Sequence, residues 1–398
     1  MASEAEGCWF DPSQSHQPLK HMYSEIPLWL SLAFIAVGLV ALAWSSDTFV
    51  DGAATIAKVL GISPFIIGMV IIGFGTSAPE LAVSVMSGAS GHANLSLGNA
   101  YGSCVFNIAV ILGIAVMIFP LVVKPAITYV AGPGEALVAL FSLWMLYDGS
   151  CTRGEACALL GLFAVLLPLY CWFDQKTSGS KDRPSEEPAQ DGRRPSIATA
   201  LVKVVAGLGI LVGSSHILVW GSVDLAKAMG VSDLVIGLTI VAAGTSLPEL
   251  ASGIASARRG EHEFVLGNIV GSNLFNMLAV VGLATVISPL VPADGRPAFS
   301  PYVITRDLPL LIGLSLSISL FGINWRHPKW PGAIVRREAV LWLLVFVVYT
   351  VVMFCQERNK AANGRSAPEE GGSSAVLFRP DVDNSFSFAR AGLSITAA

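Results

Sequence analysis

The sequence predicts an all-α membrane protein with ten transmembrane helices, arranged as two inverted five-helix repeats. Three observations carry that prediction. Hydrophobic residues make up 53% of the chain and charged residues only 13%, with a mean hydropathy of +0.65. This is the balance of a polytopic membrane protein and not of a soluble domain. The apolar residues collect in ten segments, most of them long enough to cross a bilayer. Finally, the stretch Gly73-Phe-Gly-Thr-Ser-Ala-Pro-Glu-Leu81 returns 169 residues later as Gly244-Thr-Ser-Leu-Pro-Glu-Leu250.

The segments fall into two sets of five. A polar N-terminal segment, 1–27, comes first; it has no basic region directly before a short apolar core, so no cleavable signal peptide is expected. The first repeat, 28–173, holds apolar segments at about 28–45, 63–89, 95–120, 133–147 and 155–173. The fourth of these is short, which implies tilt or a longer true extent. Residues 174–196 are rich in Ser, Pro, Glu, Lys and Arg and read as a solvated cytoplasmic linker. The second repeat, 197–356, holds segments at about 197–219, 232–257, 264–288, 305–323 and 338–356. The polar tail, 357–398, is expected to be disordered.

The repeat extends well beyond one motif. Thr76, Ser77, Pro79 and Glu80 match Thr245, Ser246, Pro248 and Glu249; Gly98 and Asn99 match Gly267 and Asn268; Gly102, Ser103 and Asn107 match Gly271, Ser272 and Asn276. Ser45-Ser46 pairs with Ser214-Ser215, and Arg153 and Glu155 echo Arg336 and Glu338. An odd number of spans forces the second copy to enter from the opposite side. The repeats are therefore inverted, a transporter plan that puts the site at the repeat interface near the midplane. Positive charge sets the orientation: with the linker inside, Lys and Arg in loops count fourteen inside against five outside. Both termini are then outside.

Each repeat supplies two chemical elements. The first is the break at Thr-Ser-x-Pro-Glu. A carboxylate at the centre of a membrane helix costs about 2.5–3.5 kcal/mol, so Glu80 and Glu249 need a reason to be there. Pro79 lacks an N–H and displaces the carbonyl of Gly75, so backbone at Gly75 and Thr76 is expected to unwind and bare its oxygens. The second element is Gly-Asn-x-x-Gly-Ser-x-x-Phe-Asn. It sets Ser103 and Asn107, and again Ser272 and Asn276, four apart on one helix face. Small-residue packing explains the glycines. It does not explain Ser and Asn on one stripe twice.

The combined inventory is two carboxylates, several hydroxyls, two amides and freed carbonyls, all oxygen donors. Zn²⁺ and Cu⁺ are disfavoured and Ca²⁺ or Na⁺ favoured. Two carboxylates neutralise one Ca²⁺. Left unfilled they would repel, so the pocket has to refill with Na⁺ or H⁺ before it reorients, which is the logic of an exchanger.

GTSAPEL with GNAYGSCVFN, and GTSLPEL with GNIVGSNLFN, resemble the paired alpha-repeats of the sodium/calcium exchanger superfamily. The resemblance covers about residues 40–355. It implies ten helices in inverted halves and Na⁺ moving down its gradient to extrude Ca²⁺ by alternating access, with H⁺/Ca²⁺ or K⁺-dependent exchange as the alternatives. Carried over residue by residue, it implies Ca²⁺ ligands at Glu80, Glu249 and the backbone of Thr76 and Thr245. It implies Na⁺ ligands at Ser77, Ser103, Ser246, Ser272 and the same glutamates, with Asn107 and Asn276 at the central polar positions. Potassium-dependent members carry an aspartate where Asn276 stands, and Cys104 replaces the asparagine matched by Asn273 in the second repeat.

Other features have plainer readings. The six cysteines lack CxxC metal spacing, and most of them read as small buried hydrophobes. His216 reads as a buried, satisfied histidine and not a pH switch. Asp51 and Asp224 read as vestibule or capping residues. The basic residues lie in loops, so no nucleic acid is expected as a partner. No His, Asp or metal set accompanies Ser77 or Ser246, so no enzyme activity is expected. The expected partners are Ca²⁺, Na⁺ and the lipid bilayer, with no cofactor and a single chain as the working unit. The plasma membrane is the expected residence, an organelle membrane the alternative.

Overall fold

The computed structural model describes residues 27–89, 93–125, 127–177, 196–228, 242–292, 297–327 and 330–364. Residues 1–26, nearly all of the linker, the first ten residues of the expected 232–257 span and most of the tail lie outside the described residues. The helices, in order, are α1 (Leu28–Leu60), α2 (Pro64–Thr76), α3 (Ala78–Ala89), α4 (Ala93–Ile118), α5 (Ile127–Met145), α6 (Arg153–Thr177), α7 (Ile197–Ala228), α8 (Ala242–Thr245), α9 (Leu247–Arg258), α10 (His262–Ile287), α11 (Val303–Gly322) and α12 (Arg336–Gly364). Two three-residue strands, β1 (Leu121–Val123) and β2 (Gly332–Ile334), pair antiparallel. Among the described residues eight helices are long and apolar enough to cross a membrane; counted as one span, the bent pair α2–α3 is a ninth. The described residues up to Cys355 form one compact unit; beyond it, only the end of α12 is described.

Several helices outrun the apolar segments that predict them. α1 was expected to stop near residue 45 and continues to Leu60, where Gly61 closes it in a left-handed turn at φ 63°. At 33 residues it is about 50 Å long, more than the bilayer core requires. The serines that break the apolar run fold back onto their own helix: Ser45 Oγ donates to Leu42 O at 3.2 Å and Ser46 Oγ to Ala43 O at 2.9 Å. In α7 the matching Ser214 Oγ donates to Leu211 O at 3.0 Å. The short fourth segment gains a π turn at Ile127–Ala131, and α5 reaches 19 residues.

The inversion appears as hydrogen bonds that map onto each other. Arg153 Nε donates to Val286 O, and Arg336 Nε to Met117 O, both at 3.1 Å. The β1–β2 pair Leu121 with Ile334 is matched by the bridge between Leu290 and Cys151. Glu155 caps its helix through Thr152 N and Glu338 through Val335 N. Each repeat's last helix packs on the other repeat. A Cβ on Gly282 of α10 would lie 2.9 Å from Leu160 of α6, and one on Gly113 of α4 would lie 3.3 Å from Leu343 of α12. The long α1 and α7 cross by the same rule, Gly38 against Leu218 and Gly207 against Phe49.

α4 and α10 are the most enclosed spans, α6 and α12 among the most exposed. The exposed face is apolar, with Trp144, Leu344 and Val348 outward, as lipid requires. Charges collect at the helix ends. Asp51 pairs with Lys203 at 2.6 Å and Arg259 at 3.1 Å, and Lys124 with Glu263 at 2.6 Å. Asp51 thus ties α1 to α7 and to the end of α9, and Asp224 accepts from Ser31 Oγ. His216 was expected to be buried; it is exposed on α7, because the buried stripe there is taken by Leu211, Ser214, Ser215 and Leu218.

Candidate ion-binding site

The polar break forms one residue later than predicted. α2 runs through Gly75 and Thr76, and the turn falls at Ser77 (φ −83°, ψ 8°), where α2 and α3 meet at 46°. Pro79 removes one backbone bond, but Ser77 N still donates to Gly73 O and Leu81 N to Ser77 O, both at 3.2 Å. Those bonds hold the neighbouring turns, so unwinding is confined to one residue. The second repeat does the same: Ser246 (φ −93°, ψ 10°) separates α8 from α9.

The two breaks face each other and exchange hydrogen bonds. Ser77 Oγ donates to Glu249 Oε1 at 2.9 Å; Ser246 Oγ donates to Glu80 Oε1 at 3.0 Å and lies 3.4 Å from Ser103 Oγ. Each buried carboxylate is thus held by a serine of the other repeat. The turn carrying each glutamate is clamped by an asparagine. Asn99 Nδ2 donates to Glu80 O and Ser84 Oγ at 3.0 and 2.9 Å, and Asn268 Nδ2 to Glu249 O and Ser252 Oγ at 3.4 and 3.2 Å.

The remaining predicted residues divide. Thr76 Oγ1 donates to Ile72 O at 2.9 Å and lies 3.5 Å from Asn268 Oδ1. Ser272 Oγ donates to Gly73 O at 3.2 Å, across a contact so close that a Cβ on Gly73 would sit 2.9 Å from Ser272 N. Thr245 ends α8 directly before Ser246. Asn107 and Asn276 lie in π turns, Asn107–Leu112 and Phe275–Val280, which interrupt α4 and α10 at matching points. Such turns re-aim side chains and recur at functional sites. Glu80 Oε2, Glu249 Oε2, Asn107 Oδ1 and both polar atoms of Asn276 are buried without a hydrogen-bond partner in the protein. Four of these five atoms are oxygens, the donor set a hard cation takes.

Sequence reasoning missed one member of this layer. Glu135, in α5, is fully buried. Its Oε1 accepts from Asn273 Nδ2 at 2.6 Å and from Ser315 Oγ at 3.1 Å, and Asn273 Oδ1 accepts from Asn107 Nδ2 at 3.0 Å. The signal was present: a lone carboxylate inside an apolar segment carries the same insertion cost as Glu80.

Facing oxygen-rich breaks inside a bundle of inverted halves define a membrane transporter for cations. The profile of the sodium/calcium exchanger protein family matches residues 30–172 and 199–355, and the chain belongs to that family. It is 39% identical over 324 residues to CaxA of Alkalimonas amylolytica, covering 81% of this chain and 98% of that protein. It is 29% identical over 367 residues to the sodium/calcium exchanger MaX1 of Methanosarcina acetivorans, covering 82% and 99%. The solved structure of the sodium-calcium exchanger NCX_Mj, soaked with Na⁺ and Sr²⁺, superposes with a TM-score of 0.66 at 29% identity, covering 81% of this chain and 98% of that one. The chain is an integral multi-pass membrane protein, a cation/Ca²⁺ antiporter and not an enzyme.

Proposed function

We propose that the protein exchanges Na⁺ for Ca²⁺ by alternating access, with the ions bound between repeats 28–173 and 197–356. The observation that carries this reading is the reciprocal pair of bonds, Ser77 to Glu249 and Ser246 to Glu80. A site whose carboxylates are each steadied by the opposite repeat is remade whenever the repeats rock against each other. Both sides of the membrane can then be served by one site.

Ca²⁺ takes Glu80, Glu249 and the backbone oxygens of Thr76 and Thr245. Na⁺ takes Ser77, Ser103, Ser246, Ser272 and the glutamates in its turn. Asn107 and Asn276 complete the centre. Two carboxylates balance one Ca²⁺, and the same pair without cations would cross a low-dielectric barrier with two uncompensated charges. That penalty forbids the unloaded return and enforces exchange. The serines favour Na⁺ as the counter-ion, since proton coupling needs only the carboxylates. MaX1 and NCX_Mj are both described as sodium–calcium exchangers, which supports the same assignment. The working unit is a single chain.

The test is Ca²⁺ uptake into proteoliposomes preloaded with Na⁺, against vesicles carrying only a pH gradient. Uptake driven by the Na⁺ gradient and indifferent to K⁺ is the expected result. Uptake driven by the pH gradient alone would overturn Na⁺ coupling and recast the serines as structural.

A further inference from the structure

Three glutamates are fully buried among the described residues: Glu80, Glu135 and Glu249. Two are mates across the repeat. Glu135 has no acidic mate. The fourth helices of the two repeats each begin with a π turn, Ile127–Ala131 and Val303–Asp307, followed by a proline, Pro133 and Pro309. In that register Glu135 aligns with Leu311. Its own partner Asn273 aligns with Cys104. At one of two related places a carboxylate–amide pair therefore joins the repeats, and at the other stand leucine and cysteine.

The polar pair is directional. Glu135 Oε1 accepts from Ser315 and from Asn273 Nδ2. An amide presents donors at one end and an acceptor at the other. With its nitrogen committed to Glu135, Asn273 turns its oxygen to Asn107 and accepts from Asn107 Nδ2. Asn107 then has its nitrogen committed as well. Its Oδ1 is left buried and unpartnered. Reversing this chain would turn the N–H groups of Asn107 outward, and N–H donors repel a cation. Asn276, the mate of Asn107, shows the contrast. With Cys104 and Leu311 in the related places, neither of its polar atoms has a partner.

We propose that Glu135 is a positioning residue for ion binding: through Asn273 it fixes the amide of Asn107 so that oxygen, not nitrogen, faces the site. This rests on the reading of Asn107 as an ion ligand. Glu135 Oε2 is buried without a partner; the positioning role belongs to Oε1, which accepts from Asn273 and Ser315. Its negative charge is not the requirement; an acceptor at Oε1 is.

The experiment measures Ca²⁺ binding to purified, detergent-solubilised protein, with Na⁺-driven uptake as the second readout. Binding in detergent is independent of the coupling ion, so a failure of Na⁺ coupling leaves the test intact. Glu135→Leu, carrying the residue found at position 311, should weaken Ca²⁺ binding about tenfold, or about 1.4 kcal/mol, with a much smaller change in maximal transport rate. Glu135→Gln keeps the acceptor oxygen and should bind within about twofold of the parent. Asn107→Ala should weaken binding as much as Glu135→Leu, and the double variant no further, because one amide carries both effects. Should Glu135→Leu fail to yield folded protein, Asn273→Ala breaks the relay at its middle and should show the same loss. Unchanged affinity in either relay variant would overturn the proposal. So would a Glu135→Gln variant as weak as Glu135→Leu, or losses that add with Asn107→Ala. An Asn107→Ala variant with parental affinity would sink the ligand reading of Asn107 itself.

Discussion

The two halves of the site obey the repeat to different degrees. At the breaks the match is close: Ser77 holds Glu249 as Ser246 holds Glu80, and Asn99 clamps its turn as Asn268 clamps the other. One layer away, at the amides, it fails. Asn107 is fixed by Asn273 and Glu135, while Asn276 is unpartnered at both ends. The difference separates two requirements. In the exchange proposed above, ion charge has to be met equally from both repeats, because the site is presented to both sides. Ligand orientation needs to be fixed only where an error would be costly, and one oriented amide suffices. The departure at Cys104 then has a physical account. The Cys104 thiol donates to the Asn273 carbonyl at 3.7 Å, and the place related to Glu135 holds Leu311 of the same buried apolar cluster, so an asparagine at 104 would lack the carboxylate that Asn273 has.

The symmetric layer gives the largest expected effects. Glu80→Gln and Glu249→Gln should each abolish Ca²⁺ transport, by about 100-fold or more, since each removes a charge worth about 3 kcal/mol of ion contact. Both variants should fold, because glutamine keeps the oxygen that the opposite serine donates to. Uptake assays with monodisperse protein check this. A large gap between the two variants would break the claim that the repeats share the charge equally.

The asymmetric layer gives smaller, unequal effects. Asn107→Asp removes the amide nitrogen that Asn273 Oδ1 accepts from and sets oxygen against oxygen, at about 1–3 kcal/mol of stability. Asn276→Asp breaks no bond, since its amide has none to lose. With cation bound it should lower the melting temperature less than Asn107→Asp does, since the buried charge is then compensated and no hydrogen bond is lost, and it should shift the dependence of transport on Na⁺, K⁺ and pH, because it adds a titratable charge to the site. Equal destabilisation in the two variants would count against the contrast, and an unchanged ion profile would count against Asn276 lining the site.

Much of this was legible in the sequence, and the remainder was hidden for identifiable reasons. The offset repeat carried the inversion, the helix order and both elements of the candidate site. Hydropathy misplaced the ends of α1 and α7, because serines that bond back to their own helix look like boundaries in a window average. The break was placed at Gly75 and Thr76 by the missing proline N–H, and neighbouring backbone bonds confined it to Ser77. His216 was read as buried because it sits in an apolar span; only the packing of α7 on α1 decides which face it takes. Glu135 went unread because it has no repeat mate, and because its partner lies 138 residues away in sequence. Repeat matching finds what is shared, so it passes over the residues that make the halves unequal.

The smallest expected effect tests that inequality directly. Cys104→Asn restores the repeat pattern in sequence but sets an amide where Leu311 offers no acceptor. It should lower stability by about 1–3 kcal/mol, seen as a drop of a few degrees in melting temperature, with little change in Ca²⁺ uptake. Leu311→Glu alone buries a carboxylate without a partner and should cost more. The double variant rebuilds beside Asn276 the pair that Glu135 and Asn273 make beside Asn107. Its destabilisation should fall short of the sum of the two by about 0.5 kcal/mol or more, the signature of residues in contact. Strict additivity in the melting temperatures would mean that 104 and 311 do not meet as their mates do. The relay would then belong to the local shape of one half, and inversion alone would not predict where it could be built.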